Sequence, residues 1–452
     1  MLPIVKTPRS QQQFRHAIQH DAIAEHLTDD EINDICRNLG HTWRDRQLPP
    51  GVTVRSCVHR ALNGDHSIAA MLADLAAGDD PDAPVPTDSA WCQARSRMPL
   101  TVLQELIIRR ARECQRRFGQ PYQWHGRPVF VADGSSVSMP DEPELVEAFG
   151  YAPTKHGPSR FPVGRITFIE LAGLEAIWDY RLDDYRTSED EQFEEMWPSL
   201  PYGCIVLADK KFSSFYTLAK LRQRRIGVIT LLHQRRNPYK LIRKGRQLGP
   251  NEWLVHLDLA PQSRRKYNDP TLPQLLSVRL IRVRFHRGGR RHTLWVVTTL
   301  MDTVLYPSRQ VAAGYRWRWD IEPRIGSLKT TLEMNVLRSK KPGSVRREVA
   351  SIVLGHNLVW MLIHEAAESS GVPAGDISFA CAVKIAVAFS QTLPFAAASQ
   401  RPALREKMLK MIASQVNHHP FDRAEPRKVK RDRRRYPYLK EPRAVARAKC
   451  LT

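Results

Sequence analysis

The chain has 452 residues, too many for one ordinary hydrophobic core, so we expect a catalytic domain with flanking modules. Its 69 Lys and Arg residues outnumber its 47 Asp and Glu residues and give a formal net charge of +22. This charge predicts a polyanionic partner without identifying it, because nucleic acids, ribosomes and anionic membrane surfaces would all attract it.

Cysteine usage and hydropathy argue against several other classes of protein. The seven cysteines are scattered and form no CxxC pair, which argues against structural zinc and a disulfide framework and fits a reducing cytosol. The most apolar window, residues 351–363, contains His356 and Asn357 and is too short to cross a bilayer. We therefore expect a soluble protein with no membrane partner.

The N-terminal residues 1–120 have the spacing of amphipathic helices. Thr28 is a candidate N-cap for the segment LTDDEINDICRNLG, and LTVLQELIIRRARECQRRF carries apolar residues at helical intervals. Its many arginines could follow a DNA backbone or form solvated helix faces, and for single arginines the second interpretation is favoured. We predict a helical DNA-binding domain here.

The remaining residues predict an α/β fold whose sheet is interrupted by an insertion. Short apolar runs alternate with a helix in residues 121–233, which indicates the first part of an α/β core. Alternating runs in residues 234–291 predict a β-rich insertion, and residues 292–370 return to the sheet and then become helical. Residues 371–452 predict a further helical region and end in a basic tail at 423–449.

Two aspartates each follow a buried strand. Asp133 ends the apolar run PVFVAD, and Asp209 ends the run IVLAD. Side chains at strand ends of an open α/β sheet converge, so the two carboxylates could meet although 76 positions separate them. Carboxylate oxygens suit Mg²⁺ and two-metal phosphoryl transfer, although a single Asp after a strand is more often a turn residue.

A third carboxylate lies in the segment YRWRWDIEPRIGSLK, residues 315–329. Tyr315, Arg318, Glu322 and Lys329 have offsets of three, seven and fourteen, which place them within about 60° of one another on an ideal helix. One helix face would then carry a metal ligand beside phosphate-binding cations. In isolation, the same face could equally hold an ion pair between Arg318 and Glu322.

Together these motifs resemble the insertion sequence four family of DDE transposases over roughly residues 25–370. VADGSSV resembles the first-Asp motif of that family, and VLADKKF resembles its second, apart from Lys211 where the family usually has Gly. Residues 315–329 match the YxxRxxxExxxxxxK signature at each defining position. The resemblance implies an RNase H-like catalytic core with a β insertion, and metal-dependent cleavage and transfer of DNA strands.

Residue roles carried over from the family are expectations. The resemblance implies Asp133, Asp209 and Glu322 as catalytic ligands of two Mg²⁺ ions, for which Mn²⁺ can substitute. It also implies DNA contacts. These comprise Tyr315, Arg318 and Lys329 near the cleaved phosphate, Trp295 as a base-stacking residue or a packed core residue, and Arg338 and Lys340 in a downstream basic stretch.

The implied partners are the element's terminal inverted repeats and target DNA, which a homodimer would hold in a synaptic complex. The implied setting is the bacterial cytoplasm, at the nucleoid. The implied route is cut-and-paste transposition through a DNA hairpin.

One departure from the family pattern keeps other functions open. Pro323 follows Glu322 directly and Gly326 lies three residues later, and both residue types disfavour a helix interior. The helix is therefore expected to break or restart at Pro323. A catalytically decayed transposase that only binds DNA is the main alternative, and a stand-alone RNase H-like nuclease is a third.

Overall fold

The computed structural model of the chain describes residues 20–44, 46–63, 67–69, 71–72, 86–155, 157–287, 290–417 and 448. Within these ranges the side chains at 287, 290 and 319–324 are not described. Residues up to 416 form one compact unit. The predicted basic tail at 423–449 lies outside the described residues apart from position 448.

A ten-stranded sheet runs through this compact unit. Its strands are β1 (Val129–Ser138), β2 (Tyr151–Thr154), β3 (Gly157–Leu171), β4 (Ala176–Asp184), β5 (Ile205–Ala208), β6 (Gly227–Leu231), β7 (Arg246–Gly249), β8 (Glu252–Asp258), β9 (Leu275–Arg287) and β10 (Arg290–Thr298). The strand order is β2-β3-β1-β5-β6-β10-β9-β8-β7, and β4 also pairs with β3. β1, β5 and β6 are parallel, and the other pairs are antiparallel. The predicted α/β class is confirmed.

The inserted residues extend the central sheet. β7, β8 and β9 pair antiparallel with one another, and β9 joins the sheet through β10, which returns to β6. Arg279 of β9 is fully buried and its guanidinium donates to Glu252 Oε1 (2.6 Å) and to the carbonyl oxygens of Leu300 and Tyr306 (both 2.8 Å). These bonds tie the insertion to the chain that follows β10. The predicted domain boundaries remain a prediction.

Helices cover both faces of the sheet. In the described part of the chain they are α1 (Asp29–Asn38), α2 (Pro50–Leu62), α3 (Asp88–Arg97), α4 (Leu100–Phe118), α5 (Pro143–Phe149), α6 (Glu189–Met196), α7 (Phe215–Gln223), α8 (Pro238–Lys244), α9 (Pro261–Tyr267), α10 (Ser308–Gly314), α11 (Ile321–Thr330), α12 (Pro342–Ser370), α13 (Phe379–Ser390) and α14 (Arg401–Ala413). Apolar residues of α1, α2, α12, α13 and α14 form one core with one face of the sheet, whereas α6 and α7 cover the other face.

The N-terminal helices share this core with the sheet. Thr28 Oγ1 accepts a hydrogen bond from the Glu31 backbone N–H (3.4 Å), so Thr28 is the N-cap of α1 as predicted. Arg110 of α4 donates to both oxygens of Glu31, at 2.7 and 2.8 Å. Ile32, Val54 and Leu106 lie in the same apolar cluster as Val131 of β1. The N-terminal helices are therefore packed onto the central sheet.

Helix α12 runs through the centre of the unit. It is long and apolar enough to cross a membrane, but 94% of its apolar window is buried inside the protein, so it is a core helix. Its polar residues have partners, as buried polar groups require. Asn357 accepts from the Ile177 backbone N–H and donates to the Ile177 carbonyl, both at 2.8 Å, and Trp360 Nε1 donates to His356 Nε2 (3.1 Å). These bonds fix α12 against β4.

A buried charge cluster at the C-terminal half of α12 joins three helices. Glu365 Oε1 lies 2.8 Å from Arg117 of α4 and 3.3 Å from His26, and its Oε2 lies 2.7 Å from Arg405 of α14. Burial alone would raise the pKa of Glu365, but His26 and the two guanidiniums outweigh it and lower the pKa to about 2.

This cluster predicts acid-sensitive stability. Because the pKa of Glu365 falls from 4.5 to about 2 on folding, its stabilisation is present above pH 4.5 and is lost as the pH falls towards 2. Glu365→Gln should lower the free energy of unfolding by about 3 kcal/mol at pH 7, since Arg117 and Arg405 lose their ion pairs with Glu365. Chemical denaturation between pH 7 and pH 3 measures this, with Glu368→Gln on the exposed side of α12 as control. If the difference in the free energy of unfolding between wild type and Glu365→Gln is as large at pH 3 as at pH 7, Glu365 is not the source of the acid-sensitive stability.

Candidate active site

Strand register brings Asp133 and Asp209 together. β1 and β5 are adjacent and parallel, and Ala132 is paired with Ala208. The next residue on each strand is an aspartate, so the two carboxylates start from neighbouring backbone positions, about 4.8 Å apart across the sheet. The Asp209 carbonyl accepts a hydrogen bond from Thr230 Oγ1 (3.0 Å), which holds the end of β5 against β6.

Asp133 lies in a partly buried, negatively charged environment. Its Oδ1 accepts the backbone N–H of Gly134 (2.9 Å), and its Oδ2 lies 3.7 Å from Arg318 Nη1. Burial raises the pKa of Asp133, and the negative charges of Asp209 and Glu189 add to the rise, while the Gly134 N–H and Arg318 oppose it. Burial thus disfavours the ionised form of Asp133, and a bound cation would stabilise that form.

The signature segment 315–329 is not the single ideal helix that the sequence predicted. Tyr315–Asp320 forms a 3₁₀ helix, and α11 begins at Ile321. A 3₁₀ helix has three residues per turn, so offsets calculated at 3.6 residues per turn do not hold across the junction. The predicted restart is present two residues before Pro323, which makes Pro323 the third residue of α11. A first-turn residue needs no N–H, so α11 accommodates the proline.

Glu322 lies in this first turn of α11, and α11 contacts β1. Its side chain lies outside the described residues, so its role as third ligand stays a prediction. Among the described side chains, no group of three His, Cys, Asp or Glu residues forms a metal-binding cluster. Asp133 and Asp209 are the two members of the predicted triad whose side chains are described.

Tyr315 and Arg318 lie beside the aspartates as the signature predicts. The 3₁₀ helix that carries them contacts β1 and β5, and Tyr315 is 2% exposed while Arg318 is 7% exposed. Burial raises the pKa of Tyr315, and the charges of Asp209 and Asp133 raise it further, against the effect of Arg318. Tyr315 is therefore a neutral phenol at neutral pH. Lys329, in the last turn of α11, is half-buried, and burial lowers its pKa.

Trp295 lies three strands away from β1 in an aromatic cluster. The sheet order β1-β5-β6-β10 separates them by about 14 Å. The Trp295 ring lies 6.0 Å from that of Trp253 and 5.8 Å from that of Tyr239, and the Arg282 guanidinium lies 5.8 Å from it. Trp295 packs with the core on the sheet face covered by α6 and α7, yet Tyr239 is 67% exposed. The cluster is therefore partly core and partly surface.

Arg338 and Lys340 each form an ion pair with an acidic side chain. Arg338 Nη2 lies 2.7 Å from Glu333 Oε2, and Lys340 Nζ lies 3.2 Å from Glu142 Oε1. Lys340 is highly exposed, so its ion pair is weak and a DNA phosphate could replace the carboxylate.

Sequence reasoning missed a further carboxylate, Glu189. It is the first residue of α6, whose Ser188 and Glu191 form a capping box that positions the helix start. The side chain of Glu189 lies against the Gly134 backbone: a methyl group at Gly134 would come within 2.5 Å of Glu189 Cδ. Gly134 therefore makes room for a carboxylate close to Asp133. The sequence at Ser188–Glu191 has the pattern of a capping box, but no sequence feature near it indicates that Glu189 contacts β1.

Lys211 pairs with this carboxylate. Its Nζ lies 3.1 Å from Glu189 Oε1 and 3.3 Å from Oε2, and the Arg165 guanidinium lies 3.9 Å from the same carboxylate. Lys211 stands where the resembled family usually has Gly. The pair joins the segment after β5 to α6, and its positive charge partly neutralises Glu189.

Comparison with known proteins identifies the family. Residues 124–358, just over half of the chain, match the family described as Transposase DDE domain, and residues 18–107 match the family described as Insertion element 4 transposase N-terminal. The chain belongs to the IS4 family of DDE transposases.

Two relatives come from Escherichia coli (strain K12). The transposase is 28% identical over 411 residues to the protein named Transposase InsG for insertion sequence element IS4, with 88% of each chain covered. It is 29% identical over 206 residues to Putative transposase InsZ, covering 44% of this chain and 67% of that one. Among solved structures, the piggyBac transposase synaptic complex with hairpin DNA aligns with a TM-score of 0.41 and 11% identity over 92% of this chain and 78% of that one.

Family membership confirms several expectations at once. The transposase is an enzyme that cuts and joins DNA, its core is RNase H-like, and its partner is DNA. Members of the family use divalent metal ions for this chemistry. The roles of individual residues remain predictions.

Pro323 and Gly326 give a matched pair of substitutions in α11. Because a first-turn N–H has no intrahelical partner, Pro323→Leu should change DNA cleavage by less than about twofold and stability by less than about 1 kcal/mol. Gly326 is mid-helix and its Cβ position is open, so Gly326→Ala should stabilise the protein by about 1 kcal/mol. Chemical denaturation and a cleavage assay test both. A large gain of cleavage in Pro323→Leu would show that the proline distorts the site.

The Glu189–Lys211 pair predicts opposite effects on the metal requirement. Lys211→Gln leaves Glu189 less neutralised and should lower the Mg²⁺ concentration for half-maximal cleavage, whereas Glu189→Gln should raise it. Lys211 is 62% exposed, so screening limits each shift to about two- to fivefold. Cleavage rates over a Mg²⁺ titration measure the shifts, with Lys210→Gln as a charge-matched control. Shifts of the same sign for both variants would refute this account.

Proposed function

We propose that this transposase moves its insertion sequence by a cut-and-paste route, with Asp133, Asp209 and Glu322 as catalytic carboxylates. The observation that carries the proposal is the pairing of Ala132 with Ala208, which places two aspartates side by side at adjacent strands. The 3₁₀ helix of the family signature lies against both strands and adds a buried Arg318. This is the arrangement that phosphoryl transfer on DNA requires.

The residues fit a pair of Mg²⁺ ions, for which Mn²⁺ can substitute. Carboxylate oxygens are the ligands that these hard cations prefer, and a cation would stabilise the ionised form of Asp133, whose pKa is raised mainly by burial and further by Asp209 and Glu189. When bound, the ions would make the attacking water or 3′-hydroxyl more nucleophilic and stabilise the leaving oxygen. Asp133 and Asp209 would hold them from the sheet, and Glu322 from the first turn of α11.

The neighbouring side chains would orient the DNA phosphate. Arg318 Nη1 lies 3.7 Å from Asp133 Oδ2, so a phosphate bound at the two aspartates would lie within reach of this guanidinium, which would donate to a phosphate oxygen. Tyr315 is neutral and can donate its phenol hydrogen without adding charge. The DNA backbone beyond the cleaved phosphate would contact Lys329, Arg338 and the exposed Lys340.

Second-strand cleavage would proceed through a hairpin. After hydrolysis of one strand, the freed 3′-hydroxyl attacks the phosphodiester of the opposite strand, and a P–O bond to this hydroxyl forms as the P–O bond to the 3′-oxygen of the flanking DNA breaks. The flanking DNA leaves with a 3′-hydroxyl on that strand, and hydrolysis of the hairpin phosphodiester later opens the element end. Such a tight hairpin requires an unstacked base, and Trp295, with the exposed Tyr239, offers a stacking surface. Core packing remains the competing role for Trp295.

The partners of this reaction would be the terminal inverted repeats and target DNA in the bacterial cytoplasm, at the nucleoid. Two copies of the chain would hold two element ends, since the two ends must be joined to one target. A decayed, DNA-binding transposase is the second candidate, based on Pro323. The first-turn position of Pro323 removes most of its support.

Substitution of the carboxylates tests the proposal. Asp133→Asn, Asp209→Asn and Glu322→Gln should each abolish nicking of element-end DNA, while affinity for that DNA stays within a few-fold of wild type. The assay incubates purified protein with end DNA and Mg²⁺ and separates nicked, hairpin and joined products. Glu195→Gln, on the exposed side of α6, serves as control.

Each outcome has a distinct meaning. Normal nicking by one of the three variants would remove that residue from the site. Nicks without hairpins in the wild type would exclude the hairpin route, and cleavage without joined products would favour a stand-alone nuclease. No product in any condition would favour the decayed transposase.

A further inference from the structure

A cleft lies between the N-terminal helices and the segment that connects α11 to α12. Arg60 of α2 and Trp91 and Arg95 of α3 line one side, and Leu332, Arg338 and Ser351 line the other. The connecting segment is hydrogen-bonded to the end of β1: Ser138 N donates to Asn335 O (3.1 Å), and Leu337 N donates to Ser138 O (2.9 Å). The cleft is therefore built on the same strand that carries Asp133.

Two arginines in the cleft are fixed on one tryptophan. Trp91 is fully buried and its Nε1 donates to Ser56 Oγ (2.8 Å), which holds the ring in place. The Arg95 guanidinium lies 4.9 Å from the ring centroid, and that of Arg60 lies 5.8 Å from it. Such stacking orients a guanidinium but leaves its N–H groups unsatisfied.

These N–H groups point to a missing partner. Arg95 is 9% exposed, and Nε of both Arg95 and Arg60 is buried without a hydrogen-bond acceptor among the described residues. A buried guanidinium without an acceptor is costly, because arginine remains charged and loses its water. The cleft therefore contains a hydrogen-bond donor, Arg95 Nε, that has no acceptor among the described residues and belongs to a side chain more than nine-tenths buried.

The acidic residues nearby are already occupied. Glu333 is paired with Arg338 at 2.7 Å, and the two oxygens of Glu348 accept the backbone N–H groups of Arg338 (3.0 Å) and Ser339 (2.8 Å). Burial raises the pKa of the Cys57 thiol to about 11, so this thiol is neutral and supplies no counter-charge. The negative charge of Glu348 still acts on Arg60, so Arg95 is the arginine of the cleft that has no carboxylate partner among the described residues.

We infer that this cleft binds one backbone phosphate of the element-end DNA. Guanidinium groups recognise phosphate through paired N–H···O bonds, and DNA is the polyanion on which this enzyme acts. A phosphate held here would fix the DNA against β1 and the N-terminal helices together. The inference rests on the proposed function only in that the chain binds the ends of its element.

A purely structural role for the arginines makes a different prediction. If Arg60 and Arg95 only pack on Trp91, their substitution lowers stability and leaves the salt dependence of DNA binding unchanged. If they bind a phosphate, substitution removes one counterion-releasing contact, and the slope of log K against log salt falls by about 0.9.

The experiment uses the full chain and element-end duplexes that each carry a single uncharged methylphosphonate at one position. Binding is titrated at several salt concentrations with wild type, Arg95→Gln, Arg95→Lys and Arg116→Gln, a charge-matched control on the exposed side of α4. One methylphosphonate should weaken wild-type binding roughly ten- to hundredfold, the range for a charged hydrogen bond, and should have little further effect on Arg95→Gln. Arg95→Lys should keep the salt slope but lose affinity, and Arg116→Gln should respond to every methylphosphonate as the wild type does.

The inference is overturned if Arg95→Gln keeps the wild-type salt slope and the wild-type response to every methylphosphonate. Should Arg95→Gln fail to fold by circular dichroism, Arg60→Gln decides the question by the same two readouts, and a wild-type salt slope together with a wild-type response to every methylphosphonate rejects the site. Failure of the proposed function is separate, because it would be seen as absence of cleavage by wild type whatever the binding titrations show.

Discussion

The pairing of β1 with β5 is the constraint on which the active site depends. Two parallel strands aligned so that Ala132 faces Ala208 must present their next residues, Asp133 and Asp209, at one level of the sheet. A shift of the register by one residue would turn one carboxylate to the opposite face. Buried apolar residues on both strands and their burial under α12 fix that register, so the energy that positions the carboxylates comes from the core and not from the site.

Placing two carboxylates side by side has an electrostatic cost, and the structure distributes compensating groups around them. Arg318 is buried on one side, and Lys211 neutralises Glu189 on the other. Neither cation makes a close pair with Asp133, since Arg318 Nη1 remains 3.7 Å from its Oδ2. The compensation of Asp133 by these two cations is therefore partial, and under the proposed function a bound divalent ion would offset the remaining negative charge.

Local sequence patterns predicted the elements of the site, and packing over long distances determined the rest. Strand-end aspartates and the signature spacing are local patterns, and in the structure Tyr315 and Arg318 lie close to the two aspartates, while their roles remain predictions. The change from a 3₁₀ helix to α11 depends on the contact of that segment with β1 and β5, which no helical spacing encodes. Glu189 was missed for a related reason: its position beside Gly134 results from α6 folding back over β3 and β4, far from Asp133 in sequence.

The single core also determines how DNA binding and catalysis are connected. α2 and α4 pack on α12, and the chain between α11 and α12 is hydrogen-bonded to Ser138 at the end of β1. A force applied to the N-terminal helices by bound DNA therefore reaches β1 through packed side chains and backbone hydrogen bonds, with no flexible linker between them among the described residues. Because a close-packed protein interior is hardly compressible, a displacement of the N-terminal helices would shift the residues packed against them. Under the proposed function, binding of the element's end at the N-terminal helices and alignment of its phosphate with Asp133 would then be mechanically coupled, because these helices share the core of the sheet that carries Asp133.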